Sequence, residues 1–218
     1  MKKILLATAV AAASFSAPSF AEVSLNGGFV SDYVFRGSQL GDASAYGSVE
    51  YSAAGFTAGV WAINDGAQGA TDTSDGLEFD VYASYAVDIN DELSVYAGLT
   101  QYNYSYAQNF EREVNLGASF GPISADVAIG EQVDAADVET NYTYAAVSGS
   151  ISNIGLLVGH MNVDASASDY THVEASTSTD LEGIGASLGI TLGHKEPQSS
   201  AAAGDQYLFL DLSKDFEF

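Results

Sequence analysis

The chain has 218 residues, a formal net charge of −23 and no cysteine. That acidity sets nucleic acid aside as a partner, because such a surface repels phosphate, and the lack of cysteine excludes disulfides and Cys-based metal sites. Disorder is excluded too, since 47% of the residues are hydrophobic and 13 Tyr and 11 Phe are present.

The first stretch is an address. Lys2 and Lys3, the apolar run Ile4 to Ala13 and the small-x-small triplet Ser19-Phe20-Ala21 make a secretory signal peptide. The expected organisation is therefore a signal peptide, 1–21, and a single barrel domain, 22–218. Cleavage leaves four cations (Arg36, Arg112, Lys195 and Lys214) against all 29 acidic residues, a net charge of −25. An exported chain without disulfides must take its stability from a core or from closed backbone pairing. No later stretch approaches 18 apolar residues, so helical membrane spans are not expected.

Beyond the signal the hydrophobic period is two. In Leu77–Ile89, Leu77, Phe79, Val81, Tyr85, Val87 and Ile89 alternate with Glu78, Asp80, Tyr82, Ser84 and Asp88. Ile123 to Ile129, Ile184 to Leu192 and Leu208 to Phe216 repeat the pattern, which rules out a helical protein. Twelve segments result: Val23–Phe35, Ala45–Ala53, Phe56–Asn64, Gly76–Ile89, Glu92–Tyr106, Phe110–Phe120, Ile123–Gln132, Val138–Ile151, Ile154–Val163, Asp169–Asp180, Ile184–Gly193 and Gln206–Phe218. Ten strands is the alternative count. The links after even-numbered segments are tight (Ala54-Gly55, Asn90-Asp91, Gly121-Pro122, Ser152-Asn153), and most of those after odd-numbered ones are longer and polar. Short turns at one end and long loops at the other describe an antiparallel up-and-down transmembrane β-barrel. A soluble sandwich or lipocalin-like barrel alternates as well. The signal peptide, the loop asymmetry and the terminal aromatic favour the membrane barrel.

The first segment carries Ser31-Asp32-Tyr33-Val34-Phe35-Arg36-Gly37, and some twenty residues on comes Gly55-Phe56-Thr57-Ala58-Gly59-Val60-Trp61. This pairing resembles the TorF family of proteobacterial outer-membrane porins, whose first strand reads SDY-x-FRG followed by Ile-Ser-Gln and whose next segment reads G-x-Y/F-x-G-x-W. The sequence departs by lacking the Ile after Gly37, which shortens the first loop. The resemblance implies an outer-membrane barrel of porin type with no assigned substrate. From the residues themselves, Arg36 is expected to pair with Asp32 or an acidic loop residue and pin the first hairpin, or else to set selectivity at a pore mouth. Gly37 suits a turn that needs positive φ. Trp61, the sole Trp, reads as an interface or barrel-filling aromatic.

If the apolar rows face lipid, the candidate pore lining is Glu50, Glu78, Asp80, Tyr82, Glu113, Asp126, Glu174 and Asp211. A pore so lined prefers cations. The function expected is passive diffusion of small cationic or neutral solutes across the outer membrane of a Gram-negative cell. The alternatives are a closed structural or adhesive barrel whose loops bind a partner, and a lipid hydrolase built on His172. No G-x-S-x-G or H-E-x-x-H occurs, so no enzyme and no cofactor is expected. Asp65, Asp72, Asp75 and Asp134, Asp137, Glu139 are candidate divalent-cation ligands in the loops. The remaining partners expected are outer-membrane lipid and the barrel-assembly machinery, which would read the closing strand through Phe216 and Phe218.

Overall fold

The structure is a computed structural model that describes residues 21–66, 75–105, 110–164, 168–198 and 203–217. Among the described residues fourteen strands follow one another: β1 Glu22–Val30, β2 Tyr33–Phe35, β3 Ser38–Gly41, β4 Ser44–Ala53, β5 Phe56–Gly66, β6 Asp75–Asp88, β7 Leu93–Tyr104, β8 Phe110–Phe120, β9 Ile123–Val133, β10 Glu139–Ile151, β11 Ile154–Val163, β12 Tyr170–Leu181, β13 Ala186–Pro197 and β14 Asp205–Glu217. All but β2 and β3 close into one antiparallel barrel. The count is twelve, not ten. Each strand pairs with its neighbour in sequence, and β14 closes on β1 through partners such as Leu25↔Phe216 and Val30↔Asp211. Closure leaves no unpaired edge, which a sheet in hydrocarbon requires.

The period of two decides what faces where. In antiparallel register the residues directly opposite share a face. Phe29, Val49, Val60, Val81, Leu99, Val114, Ile129, Val158, Val173, Leu192 and Leu210 all lie on the outside and are exposed. Glu113 and His172, by contrast, are 3% and 1% exposed. Apolar side chains outside and ionisable ones inside invert a soluble barrel, and that inversion makes the exterior a surface for lipid. Tyr51, Phe56, Tyr85 and Phe120 stand exposed beside the tight turns, forming an aromatic band at that end. Lys214, the one break in the outer row of β14, bends its amine onto the carbonyl of Ile184 at 2.9 Å and over the ring of Phe216. Its stem thus stays with the apolar wall while its charge reaches the turn.

The tight turns keep the expected chemistry. Ala54-Gly55 has positive φ at both residues, the two-residue geometry that matches strand twist. Boundaries differ modestly from the sequence reading: the segment expected at Ile184–Gly193 runs from Ala186 to Pro197, with Pro197 paired to Tyr170 at the strand's end rather than in a loop. The link expected at Ala107–Asn109 and residues 1–20 of the expected signal peptide lie outside the described residues.

The larger difference concerns the first segment. It does not run as one strand from Val23 to Phe35. The barrel strand stops at Val30; Ser31 and Asp32 turn the chain, and Tyr33–Phe35 pairs with Ser38–Gly41 as a separate hairpin. That hairpin folds into the barrel. Tyr33, Val34 and Arg36 are at most 8% exposed, and Val30 and Tyr33 pack with Ile63 of β5 in a small core that includes Trp61 and Tyr46 at its edge.

A direct check on the outward apolar face is solubility. The folded protein should require detergent, and an unheated sample should migrate apart from a boiled one on a detergent gel. A monodisperse, folded species in plain buffer would overturn this orientation.

Candidate functional site

The site is the lumen in the half of the barrel away from the tight turns, where the hairpin meets the wall. Its tip is Arg36-Gly37, both with positive φ, at +48° and +80°. This two-residue turn suits hairpins but ordinarily uses Asn-Gly or Gly-Gly, and the left-handed region costs a non-glycine residue about 1–2 kcal/mol. The geometry is held by what Arg36 reaches. Its two terminal nitrogens bond both oxygens of Glu113 on β8, at 2.5 and 3.0 Å. The guanidinium lies 4.6 Å from the ring centre of Phe35 and 4.5 Å from that of Tyr144. The expected pairing with Asp32 does not form; Asp32 instead accepts from Ser31 and Gln39. Arg36 does pin the first hairpin, but to the opposite side of the barrel.

Glu113 is fully enclosed and saturated. Besides Arg36 it accepts from the hydroxyls of Tyr102 and Tyr142, both at 2.9 Å. Each oxygen therefore takes two donors, the arrangement that allows a carboxylate to be buried. Gly37 packs on His172: a methyl there would sit 2.5 Å from the ring carbon Cγ, so glycine is needed for space as well as for φ.

Five interior carboxylates, Glu113 among them, follow one rule. A tyrosine on one strand lies flat across a glycine on the next and donates to a carboxylate on the strand beyond. Tyr46 crosses Gly28 to Asp211 (2.8 Å), Tyr82 crosses Gly59 to Glu50 (3.0 Å), and Tyr96 crosses Gly117 to Asp126 (2.9 Å). Tyr142 crosses Gly130 to Glu113, and Tyr207 crosses Gly193 to Glu174 (2.8 Å). Tyr144 crosses Gly159 in the same way to His172 (2.9 Å). A side chain on any of these glycines would collide with the ring; at Gly193 a methyl would stand 2.1 Å from Tyr207. These lateral straps were not legible as a strand pattern. Their signal was an interior-facing glycine opposite an interior-facing tyrosine, which needs the register to be seen.

All eight candidate lining residues lie on the interior face. Five of them, Glu50, Glu113, Asp126, Glu174 and Asp211, are strap acceptors, and Tyr82 is a donor. Glu78 and Asp80 are 2% and 1% exposed and sit under the hairpin, opposite Ile63 and Trp61 in register. Toward the tight turns short side chains join the straps of Glu50 and Asp126: Ser48, Ser84, Ser94, Ser119, Ser124, Ser148 and Ser178 are only half buried. The interior is thus most fully buried around the hairpin and less buried toward the tight turns.

The remaining sequence candidates resolve as follows. Tyr33 and Phe35 face wall aromatics, with ring centres 5.9 Å from Trp61 and 5.8 Å from Tyr102. Phe216 points outward and is exposed, while Phe218 lies outside the described residues. His172 carries Tyr144 on Nε2 and Glu174 at 3.2 Å from Nδ1, so neither nitrogen is left to take a proton from a serine. It also faces the interior, away from the lipid side of the wall. Asp134 accepts the amides of Ala136 and Val138 and so shapes its own turn. Among the described residues no group of three His, Asp or Glu is placed to hold a metal ion. Asp72 lies outside them, as do the side chains of Asp65 and Asp75.

Residues 13–213 match the model of a family described as a bacterial protein of unknown function, Gcw_chp. The chain belongs to this family. No curated protein matches the sequence. Among solved structures the chain resembles the KdgM porin, with a TM-score of 0.52 and 10% identity over 91% of this chain and 99% of that one. It also resembles the COG4313 outer membrane channel from Pseudomonas putida F1, at 0.54 and 9% over 96% and 100%. At such identities the likeness establishes the barrel fold alone.

The Arg36–Glu113 contact gives a double-mutant test. Glu113→Ala leaves a buried guanidinium unpaired and should destabilise the barrel by about 3–5 kcal/mol, while Arg36→Met with Glu113→Leu should cost markedly less. Urea midpoints of the refolded protein in detergent measure both. Equal losses would mean that the pair is not the anchor.

Proposed function

We propose that the chain is an outer-membrane porin, a passive diffusion channel whose constriction is the inward hairpin, and that it favours small cationic or neutral solutes. The observation that supports this reading most is the two-zone lumen. Half-buried serines line one end of the interior, and a single hairpin, anchored mainly by one side chain, fills the other. The porins and channels that share the fold lend it plausibility, as does the resemblance of Ser31–Gly37 to the TorF family. Cation preference rests on charge: the interior carries eight or more carboxylates, while the only guanidinium there is spent on Glu113. In this reading the mature chain lies in the outer membrane, its outer face meets lipid, and the closing strand with Phe216 and Phe218 is what the barrel-assembly machinery reads.

One observation favours a second reading, a closed barrel whose loops bind a partner. Twelve strands lie between the filled eight-strand barrels and the open channels of sixteen or more, and here the hairpin and aromatic side chains pack the lumen around Tyr102, Tyr144 and Phe209.

Planar-bilayer recording separates the two. The wild type should give small steps with a cation-selective reversal potential, and deletion of residues 32–41 should enlarge the steps while keeping their selectivity. Silence from the wild type with conductance from the deletion would make the hairpin a permanent plug. Silence from both would end the channel reading.

A further inference from the structure

Five of the interior carboxylates accept a tyrosine hydroxyl across a glycine. Asp80 breaks that rule. It is 1% exposed, and its Oδ1 has no hydrogen-bond partner. Glu78, Glu111 and Glu113 share its side of the lumen. A buried carboxylate oxygen without a donor is costly, and in a region of like charge the partner it lacks is a positive one, a proton or a cation.

The protein has none to give. Of the four cations of the mature chain, Arg36 is bound to Glu113. Arg112 pairs with Glu131 on the outer face. Lys195 bonds Ser38 and covers the ring of Tyr170. Lys214 is outside, on the carbonyl of Ile184.

What stands around Asp80 indicates the kind of cation. Trp61 is its register partner on β5, so the two side chains lie next to each other on the interior face. Tyr33 and Tyr46 flank Trp61, with ring centres 5.9 and 6.0 Å away. Tyr33 comes from the hairpin, so the group closes only when the hairpin is folded in. No three acidic side chains converge as metal ligands among the described residues, whereas a hard metal ion wants several oxygens. Asp80 beside aromatic faces, with Glu78 next to it on β6 and bonded by Tyr33, is instead the chemistry that recognises an organic ammonium group.

We propose that Asp80, Trp61, Tyr33 and Tyr46 form a binding subsite for small alkylammonium cations, placed under the hairpin on the solute path. Asp80 supplies the opposite charge, and the rings supply the faces on which an N–CH group rests. Arriving solute meets Tyr33 first, so occupancy and hairpin position are linked. As an assignment of substrate class, the proposal rests on the channel reading.

Trp61 is the only Trp in the chain and sits in the subsite, so its fluorescence reports binding without any transport. The experiment is a titration of the refolded protein in detergent with methylammonium chloride, against sodium chloride at the same ionic strength. A saturable change with methylammonium, small or absent with sodium, is expected. Asp80→Asn should weaken the response by about tenfold or more, since the charged partner is gone. No saturable response in the wild type would overturn the proposal, whether or not the variant folds. An equal response to sodium, or an unchanged one in Asp80→Asn, would overturn it too. Conductance in bilayers without a fluorescence response removes the subsite and leaves the channel. A response from a barrel silent in bilayers keeps the subsite and removes the channel.

Discussion

The contact between Arg36 and Glu113 sets the interior of this barrel. A guanidinium inside a barrel needs a fully bonded acceptor, and Glu113 offers both oxygens, each already held by a tyrosine. Once that pair forms, the chain after Val30 cannot continue along the wall. Ser31 and Asp32 turn it inward, Arg36 takes a left-handed conformation, and Gly37 must be glycine to rest on His172. The attraction offsets both the turn's strain and the loss of a longer first strand. It spans the lumen, so it also fixes how far the hairpin reaches and which rings it meets.

The same need for satisfied polar groups shapes the wall. With apolar side chains committed to lipid, the interior has no ordinary hydrophobic core and must be held by polar contacts. The tyrosine straps meet that need laterally. Each crosses three strands, lies over a glycine and ends on a carboxylate or on His172. A ring lying flat on the wall occupies little of the lumen, while its hydroxyl satisfies an acid that would otherwise be buried alone. The acids of this chain are thereby held mostly by neutral donors rather than by cations, and the interior keeps its negative sign.

Much of this was legible in the sequence, for a physical reason. A wall with lipid on one side and a polar lumen on the other imposes a period of two, and the unequal turns follow from threading it back and forth. Val81 outside and Asp80 inside needed only parity. The hairpin was hidden because the aromatic row of Phe29 resumes in the same parity at Tyr33 and Phe35 after a single break at Ser31, so alternation alone continues the strand. The local sign was Arg36-Gly37, a turn dipeptide after two aromatics, which the sequence reading assigned to a loop beyond the strand. Its partner Glu113 lies 77 residues away and belongs to another strand's alternation. The straps were hidden likewise: Tyr96, Gly117 and Asp126 are adjacent only once three strands are in register.

These features meet in how the lumen distributes its constraints. Strap carboxylates are spoken for by the wall itself, so removing the hairpin would leave Glu50, Asp126, Glu174 and Asp211 bonded as they are. Glu113 would keep its tyrosines and lose its cation. Glu78 and Asp80 belong to no strap, and they face Tyr33 only while the hairpin is in place. The charge that changes its surroundings when the hairpin moves is therefore concentrated around Glu78, Asp80 and Glu113, on the side of the lumen the hairpin covers. Any selectivity that depends on the hairpin must act there, and the wall's remaining charges supply a background that does not change.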